Sequence, residues 1–393
     1  MKNLHKKLLV IIFAAMMFAL SAATFVFMPK GASPFSEDEN RFLSPFVKPT
    51  VTNVFARADK PEYKPKSFMD YFDLWFADRF IMRKNWIVLN NDILAMSGKT
   101  EINGVFTRGG RMMQVWRDYD AATTDRVLSA MNGFAERAPD ISCYFLLAPT
   151  SQEIYGDTLP PNAGAGNQKA FIKYCYESLE NIVTVDAYNP LYENRERYIY
   201  YRTDHHWTTF GAYLAYYAAC EKMGLTPFEP GAFDVEHVSS DFRGTLYSKT
   251  LNSKITPDVV SFYNLAQFAP LNITLKVNTG TGIDEYDSLY FREYLDKKDK
   301  YAAFLGTNAP ITDIFTDLEN NEKSLLIFKD SYAHCLIPFL ANHYKRITVL
   351  DMRYIETDIR YFVDLSEYGQ VLFLYNAVTF SEESNLIKLN AVK

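Results

Sequence analysis

The apolar positions of this chain change period several times, and each change marks an element. The first run, Leu8 to Met28, reads LLVIIFAAMMFALSAATFVFM and carries no charge. At about 1.5 Å per residue its length matches the roughly 30 Å hydrocarbon core of a bilayer, so a membrane-spanning helix is expected. From Ser67 to Ser97 the period becomes helical. Phe68, Phe72, Trp75, Phe76 and Phe80 recur at that spacing, Ser67 and Asp70 resemble a capping box, and Gly98 stands where a C-cap would. One aromatic-faced helix is expected there. Gly104–Phe106 and Met112–Trp116 then flank Arg108-Gly109-Gly110, the composition of a hairpin turn.

Past a helical stretch near 123–137, Ile141 to Ala148 is a continuous apolar run between Pro139 and Pro149, the pattern of a strand buried on both faces. A helix near 170–180 and a strand over Ile182–Asp186 follow. The rhythm resumes late in the chain with Ser324–Phe328, a helix across 332–344, Ile347–Leu350, a polar helix across about 355–368, and Val371–Tyr375. Strands alternating with helices predict a doubly wound parallel sheet. Residues 225–320 break the rhythm with turn residues and polar strands, and are expected to form an insertion or a lobe on the sheet. Residues 31–66, rich in Pro, Lys and acidic residues, read as a linker.

Composition adds exclusions. With 48% hydrophobic and 22% charged residues, disorder is not the dominant state. A net charge of -6 without a concentrated basic stretch sets nucleic acid aside. The 30 Phe and 27 Tyr are first of all core filler, with sugar-stacking surfaces as the second reading. Lys2, Lys6 and Lys7 precede the first apolar run, whereas Glu37, Asp38 and Glu39 follow soon after a single Lys30. The positive-inside rule therefore places the body outside the cytoplasm. An uncleaved signal-anchor is favoured over a cleaved signal peptide, because the apolar run continues through Phe27 beyond the small residues at Ala19-Leu20-Ser21. Cys143, Cys175, Cys220 and Cys335 show no C-x-x-C spacing, which points to neither zinc nor redox chemistry.

In open α/β sheets ligands bind beyond the carboxyl ends of the strands. Lys329-Asp330-Ser331-Tyr332-Ala333 puts Ser331 on such a strand-to-helix turn, with backbone N–H groups near to act as oxyanion donors. A serine needs a base to act as nucleophile. Tyr200–Thr209, YYRTDHHWTT, offers one at the start of a helix that Thr208 or Thr209 would cap and Gly224 would end. In an extended stretch Asp204 and His206 share a face while His205 points elsewhere, and a carboxylate so placed orients an imidazole. His334 and His343 are rival bases. Two His and one Asp suit zinc, but no further ligand-spaced cluster accompanies them, so no metal is expected.

RTDHHWT and KDSYA, together with SEDENRFLSPF, DFRGTLYSKT (Asp241 to Thr250), TVLDMRY and LFLYN in that order, resemble the DHHW family, which is similar to the SGNH-hydrolase-like domain of alginate O-acetyltransferases. The resemblance covers nearly the whole chain. It implies an SGNH-hydrolase-like (flavodoxin-like) α/β parallel sheet with helices on both faces, an inserted lobe at about 225–320, and an N-terminal transmembrane helix. The expected division is 1–30 anchor, 31–66 linker and 67–393 body. It also implies Ser331 as nucleophile, His206 as general base and Asp204 as the residue orienting it. Asn376 stands where an oxyanion asparagine would be; the family's glycine block is replaced by Asp351-Met352-Arg353, which leaves Arg353, with Tyr332, as further oxyanion or substrate contacts. No cofactor is implied. The activity implied is extracytoplasmic acyl transfer to a polysaccharide. Cytosolic acetyl-CoA cannot be the donor there, so a membrane-bound O-acyltransferase partner is implied as well. The alternatives are a carbohydrate esterase or deacetylase, and a non-catalytic polysaccharide-binding assembly protein.

Overall fold

The unbroken apolar runs lie side by side in the middle of an eight-stranded sheet. The computed structural model describes residues 2–28, 35–54, 67–266, 271–318 and 324–391; parts of the expected linker (31–34, 55–66) and lobe (267–270, 319–320) lie outside them. The main helices and strands, in chain order, are α1 (Lys2–Phe27), α2 (Phe68–Arg79), α3 (Arg83–Met96), α4 (Ala121–Arg137), β1 (Ser142–Ala148), α5 (Gln168–Glu177), β2 (Ile182–Val185) and α6 (Thr209–Met223). They continue with β3 (Ile273–Asn278), β4 (Ile283–Tyr286), β5 (Ile311–Thr316), β6 (Ser324–Lys329), β7 (Arg346–Leu350), β8 (Gln370–Asn376) and α7 (Ala377–Ser381).

The sheet runs β4-β3-β5-β7-β6-β8-β1-β2. The five strands from β7 to β2 are parallel. Side-chain alternation gives the inner four a second buried face, whereas β2, at the edge, leaves Val183 exposed. Leu146, Ile327 and Leu372 face one core, shared with α6, while Phe145, Phe328 and Phe373 face another, shared with α4, α5 and α7. Helices therefore cover both faces of a largely parallel sheet, the α/β layering expected from the sequence.

Local signals explain how α6 is positioned. The Thr208 side chain accepts from the Gly211 amide at 3.2 Å, and Gly224 closes the helix in the left-handed region at φ 68°. A Cβ on Gly211 would lie 2.2 Å from the Ile199 carbonyl oxygen, so only glycine lets the first turn approach that backbone.

Three expectations need correction. The single helix over 67–97 is two, α2 and α3, broken where the Ile81 amide donates to Thr24 Oγ1 (3.1 Å) and Met82 turns left-handed at φ 56°. The helix expected over 332–344 is a 3-10 helix (Ser331–Cys335) followed by one short α-turn (Ile337–Leu340), with Pro338 unable to donate into a continuing helix. Residues 355–368 hold only 3-10 turns, at Ile359–Tyr361 and Leu365–Glu367, each started by an aspartate cap. Within residues 225–320, β3, β4 and β5 extend the sheet antiparallel. Their mixed burial suits a sheet margin, whereas Phe233–Phe242 and Asp258–Leu265 pair as a separate ribbon.

The chain divides into two compact units, Met1–Lys99 with Ser248–Asn252, and Thr100–Tyr247 with Ser253–Lys393. The central sheet belongs to the second. In the first, Leu4–Phe27 is long and apolar enough to cross a membrane, a character that signal sequences share. The charged motif after it is ordered by pairing: Arg41 grips Asp78 (2.6 and 3.0 Å) and Glu39, and Arg83 also reaches Glu39 at 2.8 Å.

Candidate active site

Three parallel strands, β7, β6 and β8, are neighbours, so the polar residues at their carboxyl ends meet. Asp330 follows β6 and is fully buried. One of its oxygens accepts from the Tyr332 amide (2.8 Å); the other accepts from the Asn376 backbone N–H (2.8 Å) and side-chain Nδ2 (2.6 Å). Burial pushes the Asp330 carboxyl up, while these amides and the nearby Arg353 and His206 favour its charge. The result is a fixed turn that presents Ser331, half-exposed, with its backbone N–H making no hydrogen bond among the described residues.

The opposing loop comes from before α6. Tyr200 and Trp207 form an antiparallel bridge, so residues 201–206 bend rather than extend. Asp258, fully buried, accepts from the Arg202 and Thr203 amides (2.7 and 2.8 Å) and from the Tyr198 hydroxyl (2.6 Å), and so fixes the start of the bend. Asp204 Oδ1 accepts from His206 Nδ1 at 2.6 Å, and His206 Nε2 lies 2.7 Å from Ser331 Oγ. The three residues, 125 positions apart at their widest hydrogen bond, thus form one hydrogen-bonded chain. Asp204 Oδ2 accepts from the Thr245 amide (2.7 Å) and hydroxyl (2.9 Å). Burial alone would raise the Asp204 carboxyl; the imidazoles of His205 and His206 and the Thr245 amide outweigh it and hold it well below the usual carboxylate range.

His205 does not point away, as strand alternation implied. In the bent loop its ring lies 3.8 Å from that of His206, and its Nδ1 is 2.8 Å from Thr245 Oγ1 and 3.5 Å from Asp204 Oδ1. Asp204, His205 and His206 have donor atoms within 4.8 Å of one another, the spacing of a cation site. Those atoms already hydrogen-bond to each other, to Thr245 or to Ser331, and an ion would have to replace these bonds. The rival bases lie elsewhere: His334 sits between Lys329 Nζ (2.8 Å) and the Phe304 carbonyl (3.1 Å), and His343 meets the Tyr216 hydroxyl at 2.7 Å.

The lower-ranked candidates divide. Both amide hydrogens of Asn376 are directed to Asp330 and Thr379, and its Oδ1 caps α7, so it braces the Ser331 turn rather than offering an oxyanion donor. Tyr332 is fully buried, with its hydroxyl donating to the His205 carbonyl at 2.5 Å; it ties the two loops and has no surface to give a substrate. Arg353 keeps a bidentate pair with Asp351 (2.8 and 2.6 Å), which also holds the buried Lys329 at 3.0 Å. Its side chain remains one-third exposed, and Nη1 makes no hydrogen bond among the described residues.

Sequence reasoning missed two features. Tyr301, buried, lies flat on His206 with ring centroids 3.7 Å apart and planes 7° apart, and its hydroxyl donates to the Ser331 carbonyl at 3.0 Å. No local pattern around Tyr301 announces this. The other feature is Gly244: a Cβ there would lie 2.2 Å from Asp204 Oδ2. The RGT of DFRGTLYSKT was its only signal.

The family model described as DHHW protein matches residues 110–350, more than half of the chain. Among solved structures, a DHHW family protein from Eubacterium siraeum is similar at 26% identity and TM-score 0.65, with 74% of this chain and 96% of that one covered. PatB1 from Bacillus cereus is similar at 20% identity and TM-score 0.62, covering 72% and 98%. The same protein with a sulfonyl adduct gives 18% identity and TM-score 0.61, again covering 72% and 98%. Both PatB1 likenesses are of fold. No curated protein matches.

Three predictions follow from the geometry. Gly244→Ala should displace Asp204 and slow the labelling of Ser331 by a sulfonyl fluoride by about 10²-fold, since small misplacements in such sites cost that much; labelling at the native rate would contradict it. Tyr301→Phe keeps the ring and should hold labelling within about tenfold, whereas Tyr301→Leu also loses the π-face against the imidazolium, worth roughly 0.5–2 kcal/mol. In both, the maximal labelling rate should fall while the half-saturating reagent concentration stays; equal loss in both variants would refute a role for the ring. Asp204 has a folded pKa below its unfolded value of about 3.9, so its ionised form stabilises fully above that pH and less as pH falls through the folded value. The stability gap between the native chain and Asp204→Asn, from urea titrations, should therefore narrow below about pH 4.

Proposed function

This chain belongs to the DHHW family, and from that premise we propose that it is an extracytoplasmic carbohydrate O-acetyltransferase-like enzyme using Ser331, His206 and Asp204. The observation that carries this reading is the unbroken Asp204–His206–Ser331 hydrogen-bond chain at the carboxyl end of the sheet. His206 Nε2 takes the Oγ proton as Ser331 attacks an acyl carbonyl, and Asp204 stabilises the imidazolium that forms. The Ser331 amide and Arg353 Nη1 are the donors open to the negative oxygen of the tetrahedral intermediate. Return of the proton to the departing group leaves an acyl ester on Ser331. A sugar hydroxyl, deprotonated by His206, then attacks that ester; the acylated sugar leaves and Ser331 is restored.

On this reading the substrate is a polysaccharide outside the cell, and the acyl group arrives through a membrane-bound O-acyltransferase, because an extracytoplasmic site has no access to cytosolic acyl thioesters. The apolar α1, ahead of the sheet-bearing unit, fits a protein working at a membrane.

The full chain incubated with p-nitrophenyl acetate should gain a single acetyl group by intact mass spectrometry. Ser331→Ala should abolish the adduct, and His206→Ala should slow its formation by about 10²–10⁴-fold. An adduct that persists in Ser331→Ala removes the proposal. An acyl-enzyme that transfers to an oligosaccharide supports the transferase, and one that water resolves equally fast with or without acceptor supports the esterase instead.

A further inference from the structure

In the N-terminal unit, α3 is apolar on two opposite sides. One side packs inward: Ile87 and Leu94 are partly buried, and Asn91 is buried with its Nδ2 donating to the Thr250 carbonyl at 2.7 Å. The other side carries Trp86, Leu89, Ile93 and Met96, spaced three, four and three residues apart, which sets them in one stripe along the helix, with Met82 in the turn just ahead of it. All five are exposed, between 43% and 88%. A contiguous exposed stripe of large apolar side chains marks a surface that something covers.

Its position on the chain identifies the cover. α3 begins at the Ile81–Met82 turn, and the Ile81 amide donates to Thr24 Oγ1 in the last two turns of α1. Phe25 of α1 packs against Trp75 and Phe76 of α2, with ring centroids at 6.2 and 5.6 Å. Leu4–Phe27 is 24 residues, about 36 Å as a helix, against a hydrocarbon core of roughly 30 Å. If α1 spans a bilayer, the residues it touches near Thr24 sit at the level of the headgroups, where Trp and other aromatic rings gather. At the start of α3, Arg83 pairs with Glu39 and Lys84 with Asp38. We propose that α3 is an interfacial membrane helix: it lies on the bilayer surface beside the exit of α1, with Met82, Trp86, Leu89, Ile93 and Met96 dipping into the acyl-chain boundary. Such helices bury their apolar face about 5–10 Å deep. The anchor is thereby a two-part device, a spanning helix and a surface helix, that limits how the unit can tilt about its exit point.

The test uses the full chain reconstituted in mixed phosphatidylcholine and phosphatidylglycerol vesicles. The four native cysteines are all buried, so a single introduced cysteine can be labelled with an environment-sensitive fluorophore. Leu89→Cys and Ile93→Cys should show blue-shifted emission that is lost when the lipids carry acyl-chain nitroxides. Asn90→Cys, off the stripe, should stay water-like, and Phe18→Cys in α1 should report lipid. Water-like, iodide-quenched emission at positions 89 and 93 overturns the proposal. Emission shielded from both iodide and nitroxide lipid overturns it too, since protein rather than lipid then covers the stripe. A water-exposed probe at position 18 removes the spanning helix and the proposal with it, and leaves the acyl-transfer reading, which mass spectrometry tests separately, untouched.

Discussion

A carboxylate taken out of water has to be answered by hydrogen bonds and opposite charge, and Asp204, only 2% exposed, is the group on which the site depends. It receives four hydrogen bonds, two from His206 and two from Thr245. Meeting that demand fixes the imidazole on one side and draws the 244–245 backbone up on the other, close enough that residue 244 has no room for a side chain. The depressed Asp204 carboxyl and the placement of His206 are therefore two aspects of one balance.

A second buried carboxylate does for the serine turn what Asp204 does for the histidine loop. Asp330 gathers the Tyr332 amide and both nitrogens of Asn376, binding the end of β8 to the end of β6. Beside it, the buried Lys329 and Asp351 and the partly exposed Arg353 form a charged cluster across the ends of β6 and β7, with Lys329 also on Asn308 and His334. Burial pushes the Lys329 ammonium down, and Asp351 works against that. The ends of β6, β7 and β8 are thus tied to one another by polar groups that satisfy each other's hydrogen bonds.

What joins the two loops to each other is aromatic. The Trp207 indole donates to the Tyr332 carbonyl at 3.0 Å, the Tyr332 hydroxyl returns to the His205 carbonyl, and Tyr301 spans His206 and the Ser331 carbonyl. Rings of this kind bring large buried area together with one directional hydrogen bond apiece. That combination holds the Ser331 hydroxyl and the His206 imidazole at hydrogen-bonding distance while leaving Ser331 partly exposed.

By itself the sequence determined whatever depends on neighbours within a few residues. The apolar runs that became β1, β2, β6, β7 and β8, the Thr208 and Gly224 ends of α6, the length of the first apolar helix, and the types of residue suited to a serine, a base and an orienting acid were all legible in period and capping. Only tertiary structure decided the rest. It split α2 from α3 through a hydroxyl on α1, extended the sheet with β3 to β5, committed Asn376 and Tyr332 to internal partners, and set Tyr301 against His206 and Gly244 against Asp204. These outcomes turn on contacts between residues tens to hundreds of positions apart. Which buried polar group finds which partner is settled when the elements pack, and local patterning carries no record of it.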